Sequence, residues 1–327
     1  MERKYTEFLV LSAILLGVIG LMWLLNGSDF MHLGNFQSMA FQLPELGILS
    51  MAMMITMLTA GINLSIIASA NLSGIVMAII LTQTIPPETT GPGGIGLVVL
   101  AILAGLLISA LIGLLNGLLV AHLEISPILA TLGTMILVSG VALAITKGYV
   151  ISGFPPAMLA IGNGSILGLP APMLIFAAGV AILSIILRHT PLGARIYMLG
   201  SNPTACFYSG VNNPQVLMRT YLISGLYSGV AAVVMISRFN SAKADYGESY
   251  LLLTVLVSVL GGVSAAGGFG SVSGLVLALL ILQVISSGLN LMGVNTFLTV
   301  ALWGTVLILV MVIQFMIDRL QEKRRSV

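Results

Sequence analysis

Apolar residues fill this chain in long blocks, and the polar residues between them form short joints. A helix that crosses a bilayer needs about 20 apolar residues. The blocks predict ten spans, near 8–25, 45–60, 63–82, 95–120, 127–146, 172–187, 217–236, 250–262, 271–289 and 297–316. The expected fold class is all-α, a polytopic transmembrane helical bundle. Two blocks are too long for one helix at 1.5 Å per residue. Residues 45–82 offer a break at Gly61, Ile62 and Asn63, and residues 250–289 at the glycine-rich run 261–271. Backbone that leaves the helix inside a bilayer must be buried in protein or line a water-filled cavity. Two breaks therefore predict a polar pathway. The regions are also alike. Ser73–Gln83 reads SGIVMAIILTQ and Ser273–Gln283 reads SGLVLALLILQ, an offset of 200. They fall on the third and ninth spans, six steps apart, so both copies point the same way, as in transporters built from repeats.

The longest polar interruption, 188–219, reads RHTPLGARIYMLGSNPTACFYSGVNNPQVLMR. Its centre predicts a short helix over 202–211, lying along the membrane face. Asn202 is placed as its N-cap, Pro203 as its first residue and Gly210 as its end. Phe207 and Tyr208 are its bulky apolar groups. The segment 147–171 is rich in Gly and Pro and predicts short helices and docking surface, and 88–96 predicts a turn. Three G-x-x-x-G pairs, Gly113–Gly117, Gly225–Gly229 and Gly270–Gly274, predict close helix packing, much of it within the chain.

Composition rules out a soluble partner domain within these residues. Charged residues make up 7% of 327, against about 25% in soluble domains. No stretch of about 50 residues is polar enough to fold in water, so residues 1–327 read as a single transmembrane domain. Charge then orients it. With the N-terminus inside, the inner segments hold Arg3, Lys4, Arg188, Arg195, Arg219, Arg319, Lys323, Arg324 and Arg325, whereas the outer loops hold Lys147, Arg238 and Lys243. That imbalance follows the positive-inside rule. It puts both termini and the 188–219 loop in the cytoplasm. Phe8–Leu25 is read as a retained span, because no small-x-small cleavage site closely follows it. Cys206 is the only cysteine, which excludes an internal disulfide.

Little reaction chemistry is written in the chain. No G-x-x-x-x-G-K-[ST] phosphate loop occurs, so this subunit is not expected to bind nucleotide alone. His32, His122 and His189 are scattered through loops and span ends, and no Ser/His/Asp set gathers on one side. Glu45 is read at a span start and Asp318 at a span end. Ion-coupled carriers use carboxylates inside the bilayer, so their scarcity argues against ion coupling. The spans carry neutral polarity instead: Asn63, Ser65, Ser69, Asn71, Ser73, Thr82, Asn116, Gln283, Ser286, Ser287 and Asn290. Amides and hydroxyls can exchange hydrogen bonds with a hydroxylated solute, or they can join helix to helix. Asn63, Ser65, Asn71, Asn116, Gln283 and Asn290 are the candidates for a substrate pathway.

Five ordered motifs run TAGINLS (59–65), NGLLVAHLEISPILATLGT (116–134), TPLGARIYMLGSNPTA (190–205), LGGVSAAGGFGSVSG (260–274) and GLNLMGV (288–294). Together they resemble the membrane permeases of bacterial ABC sugar importers, the group of ribose, xylose, galactose and autoinducer-2 uptake. NSAKADYGESYL (240–251) and YSGV (208–211) are most similar to an autoinducer-2-type permease. The resemblance implies the ABC importer permease fold and an inner-membrane transport subunit, not an enzyme. It implies cytoplasmic ATPase subunits holding ATP and magnesium, a second permease and a periplasmic solute-binding protein, with membrane lipid around them and no nucleic acid. Asn202, Pro203, Phe207, Tyr208 and Gly210 then form the coupling segment.

The chain departs from the family's pattern at three places. Asn63 replaces the usual aspartate. Thr204, Ala205, Cys206 and Phe207 stand where Glu-Ala-Ala-Arg is usual, and Leu251 and Leu253 replace an acidic pair. These losses point to a non-identical second permease. The expected function is import of a sugar or sugar-like solute, such as a pentose, an autoinducer-2-like furanose or a polyol. The rival reading is an ion-coupled secondary transporter of a small neutral solute.

Overall fold

The computed structural model describes residues 2–84, 92–166, 168–295, 297–309 and 312. The long helices are α1 (Glu2–Asn26), α2 (Leu33–Met57), α3 (Ile66–Thr84), α4 (Pro92–Ala121) and α5 (Pro127–Thr146). A small β1 (Ile151–Ser152), α6 (Pro156–Asn163), β2 (Ser165–Ile166) and β3 (Leu169–Pro170) follow. Next come α7 (Ala171–His189), α8 (Pro191–Ser201), α9 (Pro203–Tyr208), α10 (Asn213–Phe239), β4 (Ser241–Ala242), α11 (Tyr250–Leu260) and α12 (Val272–Leu291). The last described helix is α13 (Phe297–Leu309). Among the described residues, eight helices are long and apolar enough to cross a membrane: α1–α5, α7, α10 and α12. The two shorter apolar helices, α11 and α13, fall where the eighth and tenth spans were expected. The turn expected over 88–96 and the end of the tenth span lie partly outside the described residues.

The bundle sorts its helices by polarity. Helices α2, α3, α10 and α12 form the centre, with 78% of the most apolar window of α2 buried, against 11% in α1. Helices α1, α4, α5 and α7 stay largely exposed. The three most apolar helices, α4, α1 and α5, are thus among the outermost. Lipid tails solvate leucine as well as a protein core does, so polar side chains, not apolar ones, draw a helix inward to find partners. The core joins Met51, Met53, Met54 and Ile55 of α2 to Ile75 of α3, Val234 of α10 and Leu279 of α12.

Two of the glycine pairs meet each other. A Cβ at Gly113 on α4 would stand 3.2 Å from the Cα of Gly225 on α10, and one at Gly229 would stand 2.2 Å from the Ser109 hydroxyl. One α4–α10 crossing therefore uses both motifs. Gly274 packs instead against the Gly261 carbonyl, inside the second break.

The second span starts earlier than its hydropathy suggests. Helix α2 begins at Leu33, not near 45. Asn35, Gln37, Ser38 and Gln42 dilute the apolar signal, and Pro44 sits inside the helix. At one end of the bundle, β1 pairs antiparallel with β4 (Ile151↔Ala242, Ser152↔Ser241). The Asn163 amide donates to the Ser237 carbonyl (3.0 Å), which docks α6 on the end of α10.

Candidate functional site

Both expected breaks occur, and both begin with the same cap. After α2, Ala60 N donates to Met57 O and Gly61 N to Thr56 O, with Ala60 at φ 59°. After α11, Gly262 N donates to Val259 O and Val263 N to Ser258 O, with Gly262 at φ 82°. This is the Schellman arrangement, which satisfies the last carbonyls of a helix by a left-handed residue.

The first break is filled by side chains from three other helices. Asn63 donates to the Ser224 hydroxyl on α10 (3.0 Å), and its oxygen accepts from Ser65 N (3.1 Å) and Ser65 Oγ (2.8 Å). Asn116 on α4 donates to Ser65 Oγ (2.7 Å), and Ser224 donates to Ala52 O on α2 (2.8 Å). Thr131 on α5 accepts from Leu64 N (3.1 Å) and donates to Ile62 O (3.0 Å). Asn63, Ser65, Asn116, Thr131 and Ser224 are all buried. The sequence reading missed Thr131, Ser224 and Tyr221, since nothing local to them marks a partner. Asn116 Oδ1 and the Tyr221 hydroxyl are buried without a hydrogen-bond partner among the described residues.

The other pathway candidates lie elsewhere. Asn71 donates to the carbonyls of Ala244 (2.8 Å) and Tyr246 (2.9 Å), pinning the segment that follows β4. Gln283 donates to Gln42 Oε1 (3.4 Å), Gln42 donates to Ser38 (2.9 Å), and Ser287 donates to Asn35 (2.6 Å). Positions 35, 38 and 42 share a face of α2, and 283, 287 and 290 share a face of α12. The result is a polar seam between the two helices. Ser38, Gln42 and Asn290 on it are exposed.

Glu45, read from sequence as lying at a span start, stands well inside α2. It is fully buried and bonds Arg238 at the end of α10 (2.8 Å). Arg238 leaves the loop assigned to it and belongs to the last turn of α10. The pair fixes α2 to α10 across 193 residues of sequence, which no local pattern reveals.

The segment 188–219 is mostly helix rather than loop. Thr190 caps α8 by accepting from Gly193 N (3.3 Å), and Pro191 opens it. Asn202 caps α9 by accepting from Ala205 N (2.9 Å), with Pro203 at its first position and Gly210 at φ 76° just beyond. Helix α9 presents Phe207 (65% exposed) and Tyr208 (83%), packed edge-to-face on each other with centroids 5.8 Å apart. Cys206 faces inward and is buried. A groove of about 360 Å³ beside α9 is lined by Tyr197, Ser201, Asn202 and Cys206. Burial pushes the Tyr197 hydroxyl up from its ordinary value, outweighing Arg188, so it is a neutral donor. Among the described residues, no three His, Cys, Asp or Glu side chains gather as a metal would require.

The chain is 32% identical over 316 residues to the autoinducer 2 import system permease protein LsrD of Yersinia enterocolitica, covering 95% of this chain and 92% of that one. It is 33% identical over 273 residues to the protein of the same name from Escherichia coli K12, covering 82% and 79%. No solved structure matches the chain. A family model described as the branched-chain amino acid transport system permease component matches residues 35–313, and with that extent of match the chain, a multi-pass transport permease, belongs to this family.

Proposed function

We propose that this chain is one of two permease subunits of an ATP-driven importer in a bacterial inner membrane. Its termini lie in the cytoplasm, and it moves a small hydroxylated, sugar-like solute. The observation that carries the ATP-driven part is α9. A capped helix that leaves two aromatic rings bare is a poor solvated connector and a good docking element, because buried aromatics supply much of an interface's energy. Separate ATPase subunits would hold the ATP and magnesium, and a solute-binding protein would deliver from outside. A non-identical second permease fits the missing acid and base beside Asn202.

Residue chemistry favours a neutral solute over an amino acid. An amino acid's charged ends call for charged partners. The seam of Ser38, Gln42, Gln283 and Asn290 offers amides and hydroxyls, and Glu45 and Arg238 are already engaged with each other. The relatives above are named for import of autoinducer 2. We place the solute path along this seam. Asn63, Ser65, Asn71 and Asn116 would support its shape from the interior.

The test is reconstitution in liposomes with candidate ATPase and second permease subunits from the same organism, using a panel of pentoses, polyols and furanoses. ATP-dependent uptake of one of them is expected, and Phe207→Ala should weaken ATPase binding by about 1–3 kcal/mol. Uptake driven by a proton or sodium gradient without ATPase would favour the secondary-transporter reading, with Glu45 as its carboxylate.

A further inference from the structure

Three backbone segments that are remote in sequence touch at one point. They are the turn after α2, the turn after α11 and the last turn of α8. Gly268 N donates to Leu58 O (2.9 Å), joining the two breaks directly. A Cβ on Gly200 would stand 1.9 Å from Leu58 O and 2.5 Å from Gly268 N. One on Gly267 would stand 2.7 Å from Ala60 N and 2.9 Å from Gly200 O. The contact is therefore backbone against backbone, and glycine is required on both sides of it. One turn before Gly200, the Tyr197 hydroxyl donates to Gly270 O (3.0 Å), which adjoins the Ser271 cap of α12. Only Asn202 lies between α8 and α9.

A chain of direct contacts from α9 thus reaches both breaks through a few residues. From there it reaches α3 through Asn63 and α12 through Ser271. We propose that Tyr197 is a positioning residue that ties α8 to the second break, and that the Leu58–Gly200–Gly268 junction makes the two breaks move as one unit. This deepens the reading of α9 as an ATPase dock and rests on it for its purpose, though not for its mechanics. The ring of Tyr197 packs whether or not it bears a hydroxyl, so removing the hydroxyl tests the bond to Gly270 O. Loss of one neutral hydrogen bond changes a conformational equilibrium roughly five-fold.

The experiment compares the wild-type chain with Tyr197→Phe in two ways. Amide hydrogen exchange on the purified chain in detergent needs no ATPase. The exchange rate is expected to rise roughly five-fold at residues 264–270 and also at 58–61, with α4 and α5 unchanged. A rise confined to 264–270 overturns the joint movement, and no rise in either turn overturns the tie. In the reconstituted importer, ATPase binding and hydrolysis should persist while solute moved per ATP falls. An unchanged ratio overturns the positioning role, and loss of ATPase binding makes Tyr197 an assembly residue instead. Wild-type liposomes that show no ATP-driven uptake would sink the importer reading, while the exchange result would still stand or fall separately.

Discussion

The two helix breaks start alike and are finished by opposite means. Each opens with the same Schellman cap, 202 residues apart from Ala60 to Gly262. The first is then packed with side chains: Thr131 meets Leu64 N and Ile62 O, Asn63 meets Ser65 N, and Ser65, Asn116 and Ser224 hold Asn63 and one another in place. The second uses fewer side chains, with Tyr197 on Gly270 O, Ser264 on Ala266 N and Ser271 on Gly274 N. Its glycines let other backbone come close enough to do the same work, with Ser264 N on Phe269 O (3.0 Å) and Gly268 N on Leu58 O. Both solutions meet the rule that buried non-helical backbone must find hydrogen-bond partners inside the protein. They differ in what breaks them. The first should be sensitive to atoms removed, the second to atoms added.

Gly200→Ala should show the largest effect. Its Cβ would meet backbone, which cannot swing aside, so the cost should reach about 3 kcal/mol, the upper end of ordinary overpacking. The midpoint of thermal unfolding in detergent should fall by several degrees. A midpoint within a degree of wild type would mean the junction is looser than its geometry.

Asn63→Ala comes next. It strips the acceptor from Ser65 N inside the bundle, and a buried donor left unpaired costs about 1–3 kcal/mol. Asn63→Ala in the Gly200→Ala background sharpens the comparison. The two breaks are joined by the Leu58–Gly268 bond, so the losses should be less than additive. Strict additivity would separate the breaks energetically.

Thr131→Val is smaller. It keeps the shape and removes the hydroxyl shared by Leu64 N and Ile62 O, and should cost about 1 kcal/mol. Faster hydrogen exchange at Leu64 is the readout.

The smallest effects come from exchanging the caps. Ala60 holds a left-handed conformation that favours glycine, so Ala60→Gly should leave stability unchanged or raise it by up to about 1 kcal/mol, while Gly262→Ala should lower it by about as much. Equal signs for the two exchanges would show that the caps are not equivalent.

Much of this was readable along the chain. Gly61–Asn63 and 261–271 announced the breaks because a helix stops where glycine and a capping residue coincide. Asn202 and Pro203 announced α9 for the same reason. The glycine pairs announced close packing, though not that Gly113 and Gly225 were each other's partners. The start of α2 was misplaced because hydropathy counts Asn35 and Gln42 as polar without knowing that Ser287 and Gln283 lie opposite them.

What the sequence determined by itself was local: the apolar blocks, their caps, their breaks and the sign of their flanking charge. Each of these depends on neighbours within a turn or two, where propensity and capping act. The tertiary structure alone decided which polar atoms are buried and with whom. Asn63 and Ser224 stand 161 residues apart in sequence, and Arg238 and Glu45 stand 193 apart. A polar side chain in an apolar surround goes wherever a partner is, and that place is set by how the helices pack.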